Sequence, residues 1–184
     1  MSNAHIEAQR VLDEADCLHD HAEVEAALAR MASQITSRLA DQDPLLFCVM
    51  NGGLIVTGQL LPRLTFPLQC EYLHATRYGK ETSGGRLAWV VKPTEPVKGR
   101  TVLVVDDILD EGHTLAEIVR YCREEGAAEV LVAVLVDKLH DRKAPGIKAD
   151  FIGLEVADRF LFGFGMDYKG YWRNAPGIYA VKGL

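Results

Sequence analysis

The sequence lacks several features that would each have assigned it to a particular class of protein. No apolar run reaches the ~18 residues that a membrane-spanning helix needs, and the first ten residues have no apolar signal-peptide core. The four cysteines, Cys17, Cys48, Cys70 and Cys122, form no Cys-x-x-Cys pair, so a zinc cluster is not predicted. These absences favour a cytoplasmic protein, because thiols stay reduced there.

Positive charge is also in short supply. The 184 residues include 20 Lys and Arg against 26 Asp and Glu, which gives a formal net charge of −6. Proteins that bind nucleic acids or membrane surfaces usually present an excess of basic residues, so neither partner is predicted. The length suits one domain that spans residues 1–184.

Apolar strands alternate with helices along the chain. Apolar residues recur at helical spacing after Asp20 and predict a capped helix over 22–39. Continuous apolar runs at 45–50, 101–105 and 130–136 predict strands buried on both faces. We therefore predict an α/β fold with a mostly parallel sheet between helices. Further helices are predicted after the turn at 51–53, to about residue 61, and over 114–125, and further strands over 68–76, 87–91, 151–156 and 178–181.

The most informative stretch follows the strand over 101–105. The strand leads into Asp106 and Asp107, then Asp110, and a loop with Gly112 and Thr114 opens the next helix. Ligands of parallel α/β sheets bind beyond the carboxyl ends of the strands, and a helix N-terminus attracts phosphate. Acidic caps at an ordinary helix start are the alternative. Strand, acids and Gly-x-Thr together favour a ligand with phosphate, hydroxyls and Mg²⁺.

This stretch resembles the phosphoribosyl pyrophosphate-binding signature of the type I phosphoribosyltransferases. A P-loop is absent, and the Gly-Phe-Gly at 163–165 lacks the third glycine of a dinucleotide site. The resemblance implies a central, mostly parallel sheet flanked by helices, a small hood formed by the N- and C-terminal segments, and a long flexible loop. It also implies that phosphoribosyl pyrophosphate is bound by Asp106, Asp107, Asp110, Glu111, Gly112, His113 and Thr114.

Other segments resemble the hypoxanthine-guanine branch of that family. The Val-Met-Asn-Gly-Gly run at 49–53 resembles its pyrophosphate loop, for which we expect a cis peptide between Met50 and Asn51. Lys138, at the end of a strand, resembles the lysine that reads the purine 6-oxygen. The remaining residues that the resemblance implies are Asn51, Gly52 and Arg173 for pyrophosphate, Phe160, Leu161 and Asp167 for the purine, and Arg77 and Tyr78 in a flexible loop that closes over the site.

The resemblance also implies a reaction. A purine nitrogen of hypoxanthine or guanine would displace pyrophosphate from phosphoribosyl pyrophosphate, which is a purine-salvage reaction. Asp110 would be the general base, and Asp106, Asp107 and Asp167 would lie at the Mg²⁺ ion. A homodimer or homotetramer is expected.

Two alternatives stay open beside this interpretation. A regulatory protein with the same fold could bind RNA or DNA, although the acidic balance and Asp110 weigh against it. An enzyme of the same family could prefer xanthine, adenine or a pyrimidine. Lys138 and the segment around Phe160 favour a 6-oxopurine, but the sequence does not rank hypoxanthine, guanine and xanthine.

Overall fold

The structure is a computed structural model, and it describes residues 2–77 and 87–183. No helix in these two ranges is long and apolar enough to cross a membrane. In chain order the elements are α1 (Asn3–Glu14), β1 (Asp16–His19), α2 (His21–Leu39), β2 (Leu45–Val49), α3 (Gly53–Leu60), β3 (Gln69–Arg77), β4 (Leu87–Val91), β5 (Thr101–Leu109), α4 (His113–Glu124), β6 (Glu129–Leu139), β7 (Phe151–Ala157), β8 (Leu161–Phe162) and β9 (Ile178–Ala180).

Six strands form the main sheet, in the order β4-β3-β2-β5-β6-β7. The pairs β3–β2, β2–β5, β5–β6 and β6–β7 are parallel, whereas β4 runs antiparallel to β3. The prediction of a mostly parallel sheet is confirmed. The carboxyl ends of β2, β5 and β6 therefore lie side by side at one edge.

Both faces of this sheet are covered, which explains the continuous apolar runs. Successive side chains of a strand point to opposite faces. In β5, Leu103 and Val105 pack in the core that contains α2 and α3, whereas Val102 and Val104 pack with α4. A run with no polar alternation is therefore what two covered faces require.

Helix α2 forms for the reasons that its sequence suggests. The Asp20 side chain accepts from the Glu23 N–H, and the Glu23 side chain accepts from the Asp20 N–H, so the two residues form a capping box. The helix begins one residue before the predicted start. Its predicted apolar stripe is buried throughout, namely Val24, Ala27, Leu28, Met31, Ile35 and Leu39.

Two strands are longer than predicted. Pairing between β5 and β6 continues to Leu109 and Asp137, so β5 does not end at Val105 but runs through the acid pair. Apolar content marks only the doubly covered part of such a strand, whereas backbone pairing continues into the polar end. Asp106 and Asp107 thus stand on a strand rather than in a loop.

A second sheet of three strands, in the order β1-β9-β8, is built from both ends of the chain. It confirms the predicted hood, although α1, β1 and β8 were not themselves predicted. Helix α1 fully buries only Ala8, and Val11 and Leu12 on the same face are half-buried, so its apolar stripe is short. Its partners come from far along the chain: Trp172 Nε1 donates to the Ala8 carbonyl at 2.6 Å, and the Tyr168 hydroxyl donates to Glu7 at 2.8 Å.

The two predicted strands β3 and β4 pair with each other in antiparallel orientation. Arg77, the last residue of β3, pairs with Leu87, the first residue of β4. The predicted closing loop begins at Tyr78, which lies outside the described residues, as do the residues up to 86.

Candidate active site

A cleft of about 470 Å³ opens at the carboxyl ends of β2, β5 and β6. It brings together residues that lie more than 100 positions apart in the chain and that the sequence analysis singled out. Those in its lining are Asn51, Gly52, Asp106, Asp107, Asp110, Thr114, Lys138, Phe160, Leu161, Asp167 and Arg173. An adjoining recess of about 280 Å³, formed by residues 106–115, adds Glu111, Gly112 and His113.

The recess lies at the start of α4. Gly112 has a φ of +72° and is the N-cap of the helix, a left-handed conformation that glycine adopts without strain. A Cβ at Gly112 would lie 2.5 Å from a Leu109 methyl carbon, so any larger residue there would also have to displace the end of the Leu109 side chain. The first N–H groups of α4 and the Thr114 side chain thus border a pocket suited to an anion.

Asp106 and Asp107 form the acidic floor of the cleft. The Asp107 N–H donates to the Asp106 carboxylate at 2.9 Å. Burial and the neighbouring Asp107 charge raise the pKa of Asp106 well above its ordinary value, and burial raises the pKa of Asp107. A divalent cation or a row of hydroxyl donors would favour the ionised pair, so these residues fit a ligand that carries either.

The loop after β2 is pressed against this floor. The Met50–Asn51 peptide bond is cis, as predicted. A Cβ at Gly52 would lie 2.3 Å from an Asp107 carboxylate oxygen, so only glycine allows this approach. The Asn-Gly-Gly sequence is therefore a packing requirement of the acid pair as well as a turn.

Asp110 belongs to a separate, charge-balanced cluster. Its Oδ2 accepts from Lys138 Nζ at 2.9 Å, and its Oδ1 lies 2.7 Å from His140 Nε2. Lys138 also contacts Asp158 at 3.1 Å, and Arg142 contacts the other Asp158 oxygen at 2.8 Å. Burial raises the pKa of Asp110, but hydrogen bonds from Lys138 and His140 outweigh burial, so the net pKa is lowered.

Lys138 is buried rather than solvated, with 7% of its surface exposed. Asp110, His140 and Asp158 place ligand atoms within 4.8 Å of one another, as in a metal site. The Lys138 ammonium already bridges the two carboxylates, however, and a metal ion in the same place would meet a like charge. The cluster is therefore an ion-pair network.

His140 and Asp158 are absent from the sequence prediction although both take part in this cluster. A usable signal was present for His140, because it follows Lys138 by two positions at the end of β6. Residues i and i+2 of an extended chain lie on one face. The intervening Leu139 is 53% exposed and points elsewhere.

The phenylalanines of the segment after β7 divide into two that are buried and one that is exposed. Phe162 and Phe164 are buried, and Phe162 stacks on Tyr179 with ring centroids 5.5 Å apart. Phe160 is 46% exposed at the cleft, and its ring lies 5.9 Å from that of Tyr168 in a T-shaped arrangement. Its ring is thus the exposed aromatic surface of this segment at the cleft.

Arg173 and Asp167 close the cleft opposite the acid pair. Arg173 donates to the Gly165 carbonyl at 2.6 Å and pairs with Asp167 at 2.5 Å. Asp167 also accepts the Gly170 N–H at 2.7 Å. Asp167 is therefore neutralised by Arg173 here, and the Arg173 charge also acts against the raised pKa values of Asp106 and Asp107 without reversing them.

A cleft beyond parallel strands, with an acid pair beside a helix N-terminus, defines a protein that binds a phosphorylated, hydroxyl-bearing ligand. The phosphoribosyl transferase domain family matches residues 14–169, and the chain belongs to this family.

Individual relatives indicate which members of the family this chain is similar to. The hypoxanthine-guanine phosphoribosyltransferase of Bacillus subtilis strain 168 is 34% identical over 161 residues, which cover 87% of this chain and 89% of that one. The hypoxanthine-guanine-xanthine phosphoribosyltransferase of Tritrichomonas foetus is 29% identical over 165 residues, 90% of each chain. A solved hypoxanthine-guanine-xanthine phosphoribosyltransferase has a TM-score of 0.83 at 27% identity and covers 92% of this chain and 99% of that one.

Proposed function

We propose that this chain transfers the 5-phosphoribosyl group from phosphoribosyl pyrophosphate to hypoxanthine or guanine, a reaction of purine salvage. The bond between the ribose anomeric carbon and pyrophosphate breaks as a bond to the purine nitrogen forms. The base loses one proton, for which Asp110 is the acceptor. The products are the purine nucleotide and pyrophosphate.

The observation that carries this proposal is the donor–acceptor pair of Lys138 and Asp110. In the described part of the chain, Lys138 uses two of its three ammonium donors, on Asp110 and Asp158. Asp110 uses two of its roughly four lone-pair positions, on Lys138 and His140. A 6-oxopurine presents an acceptor oxygen beside the N7–H donor, and this pair of groups complements both.

The opposite end of the cleft suits the sugar phosphate. Thr114 and the first N–H groups of α4 would bind the 5-phosphate, with Glu111, Gly112 and His113 forming its loop. Asp106 and Asp107 would accept from the ribose hydroxyls and favour the positive charge that develops on the ribose. Bound there with Asp167 nearby, Mg²⁺ would neutralise the leaving pyrophosphate.

Three further groups position the reactants. Asn51 and Gly52 line the side of the cleft where the leaving group would lie, with Arg173 facing it. The exposed ring of Phe160 would stack on the base, and the backbone at Leu161 would meet the base's far edge. Closure by the segment that begins at Arg77 and Tyr78 would keep water from the activated ribose.

A direct assay tests the proposal. The purified chain is incubated with phosphoribosyl pyrophosphate, Mg²⁺ and one of hypoxanthine, guanine, xanthine or adenine, and nucleotide and pyrophosphate are measured. We expect IMP and GMP, almost no AMP, and loss of both products when the metal is chelated. Transfer to xanthine alone would favour a xanthine-preferring enzyme. No transfer to any base, together with tight binding of RNA or DNA, would favour the regulatory alternative.

Assembly, location and domain organisation are part of the same proposal. Tyr72 on β3 and Val90 on the edge strand β4 are more than half exposed and are candidates for a surface shared in a homodimer or homotetramer. The four cysteines are free, which suits a reducing cytoplasm. Light scattering, cell fractionation and the cooperativity of unfolding test the oligomer, the location and the single domain over 1–184 respectively.

A further inference from the structure

His140 lies behind Asp110, on the side away from the open cleft. Its side chain is only 4% exposed, whereas the Asp110 side chain is 44% exposed. Asp110 stands just beyond β5, in a loop that leads to Gly112, so its own backbone leaves the carboxylate free to turn. His140 likewise stands just beyond β6, so it is the burial of its side chain that makes the histidine the more restricted partner in this contact.

The hydrogen bonds of His140 fix its proton. The Arg142 N–H approaches His140 Nδ1 at 3.1 Å, and a backbone N–H can only donate. Nδ1 is thus an acceptor without a proton, and the neutral ring carries its proton on Nε2. That proton points at Asp110 Oδ1, 2.7 Å away. The ring is therefore a buried donor aimed at one oxygen of the carboxylate.

The second carboxylate oxygen has a different partner. Asp110 Oδ2 accepts from Lys138, which the proposed function assigns to the purine 6-oxygen. Lys138 must then serve the base and the carboxylate together, and a shift of its ammonium toward the base would loosen its hold on Asp110. His140 is not itself one of the residues that line the cleft, so its contact with Asp110 can persist through such a shift.

We propose that His140 is a positioning residue that holds Asp110 Oδ1 while Oδ2 faces the base and receives its proton. This inference rests on the proposed function, because it assigns His140 a task in that reaction. A buried histidine with two satisfied nitrogens could also serve the fold alone. The two roles differ in what a substitution changes, which is turnover in the first case and stability in the second.

Two isosteric substitutions separate these roles. His140→Gln keeps an amide N–H the same number of bonds from Cα as Nε2, whereas His140→Met has a similar shape and no donor. We expect His140→Met to lower kcat about 10- to 100-fold with the KM for phosphoribosyl pyrophosphate within about threefold, because a small misplacement of a reacting group has costs of this size. His140→Gln should recover most of the rate. Equal rates in the two variants would overturn the proposal.

A double-mutant cycle tests whether His140 acts through Asp110. In an Asp110→Asn background, His140→Met should change kcat less than about twofold, because the group it positions is already lost. The same fall in both backgrounds would contradict the proposal. His21→Phe, a histidine substitution on the exposed start of α2, is the matched control and should leave kcat unchanged.

The acid limb of the pH profile gives a readout that a purely structural role would not move. Asp110 is faced by Lys138 and His140, with Asp158 and Arg142 behind them. Loss of one donor to the carboxylate should move the limb of kcat/KM for the base to higher pH in His140→Met but not in His140→Gln. An unmoved limb would oppose the positioning role. Failure of the proposed function is distinct, since the wild-type chain would then make no nucleotide.

Discussion

The acids that follow one another along β5 and its loop lie in opposite environments. Asp106 and Asp107 are adjacent and largely buried, and the pKa of each is raised by burial. Asp110 is partly exposed, and although burial raises its pKa, Lys138 and His140 lower it below the ordinary value. Ionisation of Asp106 and Asp107 is therefore favoured by a positively charged or hydroxyl-bearing ligand. Asp110, in contrast, is ionised and oriented without a ligand.

This difference separates two tasks, cation binding and proton transfer, among acids that lie within residues 106–110. A group that binds a cation can be costly to ionise in the free protein, because the ligand supplies the missing charge. A carboxylate that acts as a general base must be ionised before the purine binds. Pairs of titratable groups whose environments shift their pKa values apart are a common basis for such a division.

Asp110→Asn should have the largest effect on turnover. We expect kcat to fall about 100- to 10,000-fold, which is the usual contribution of one positioned acid–base group. Binding of the product nucleotide should stay within a few-fold, because the acid pair and the α4 N-terminus remain intact. Steady-state kinetics and calorimetric titration with IMP measure the two quantities. Turnover within a few-fold of wild type would remove Asp110 from the chemistry.

Lys138→Ala should affect the choice of base next. The loss of a hydrogen bond to a charged donor costs about 1.5–3 kcal/mol, so kcat/KM for hypoxanthine and guanine should fall about 10- to 150-fold. The rate with adenine, which presents a donor at position 6 and which the wild type should disfavour by up to ~10,000-fold, should change little. Measurements of kcat/KM for the three bases in both proteins test this, and equal ratios would contradict a base-reading role. Lys138→Met is the control for side-chain volume.

Phe160→Ala should lower affinity for the base without changing base choice. Stacking on an aromatic ring contributes about 1–3 kcal/mol per base, so KM should rise about 5- to 150-fold for hypoxanthine and guanine alike. Phe160→Tyr keeps the ring and should stay close to wild type. A rise for one of these two bases only would mean that Phe160 discriminates rather than stacks.

Asp106→Asn should change the free energy of unfolding by a small amount. The direction of that change tests whether the acid pair and Asp110 lie in opposite environments. Raised folded-state pKa values mean that the acid pair destabilises the fold above those values, and that this effect disappears below about pH 4, the unfolded value. Asparagine keeps an oxygen for the Asp107 N–H, so at pH 7.5 the variant should gain about 0.5–2 kcal/mol of stability while it loses activity.

Asp110→Asn is the matched variant for that stability measurement. Because the folded-state pKa of Asp110 is lowered, its charge stabilises the fold above the unfolded value, and its removal should lower stability at pH 7.5. Urea unfolding at pH 7.5 and pH 4 compares the two. A loss of stability in both variants would mean that the acid pair is not under electrostatic strain.

The main sheet, helices α2, α3 and α4, and the cleft could be predicted from the sequence because their signals are local. Apolar runs mark β2, β5 and β6, and the Asp20 capping box marks the start of α2. Helix α1 was not predicted, because its apolar face is short and Trp172 and Tyr168 hold it from the other end of the chain. Tertiary contacts of that kind leave no periodic pattern.

The same distinction applies inside the site. Asp106 and Asp107 stood out because they follow an apolar run, and Lys138 was assigned through its resemblance to the lysine that reads the purine 6-oxygen. The pairing of Lys138 with Asp110, and the place of His140 behind it, depend on how β5 and β6 align in the sheet. Strand register is a property of two segments together, so neither sequence alone contains it.

The most direct test of the division between the acids is the pH dependence of two rate constants in one protein. The acid limb of kcat/KM for phosphoribosyl pyrophosphate should report the acid pair, and that of kcat/KM for hypoxanthine at saturating phosphoribosyl pyrophosphate should report Asp110. After correction for titration of the substrate's own phosphates, we predict that the first limb lies at higher pH than the second. Coincident limbs, or the reverse order, would contradict the account.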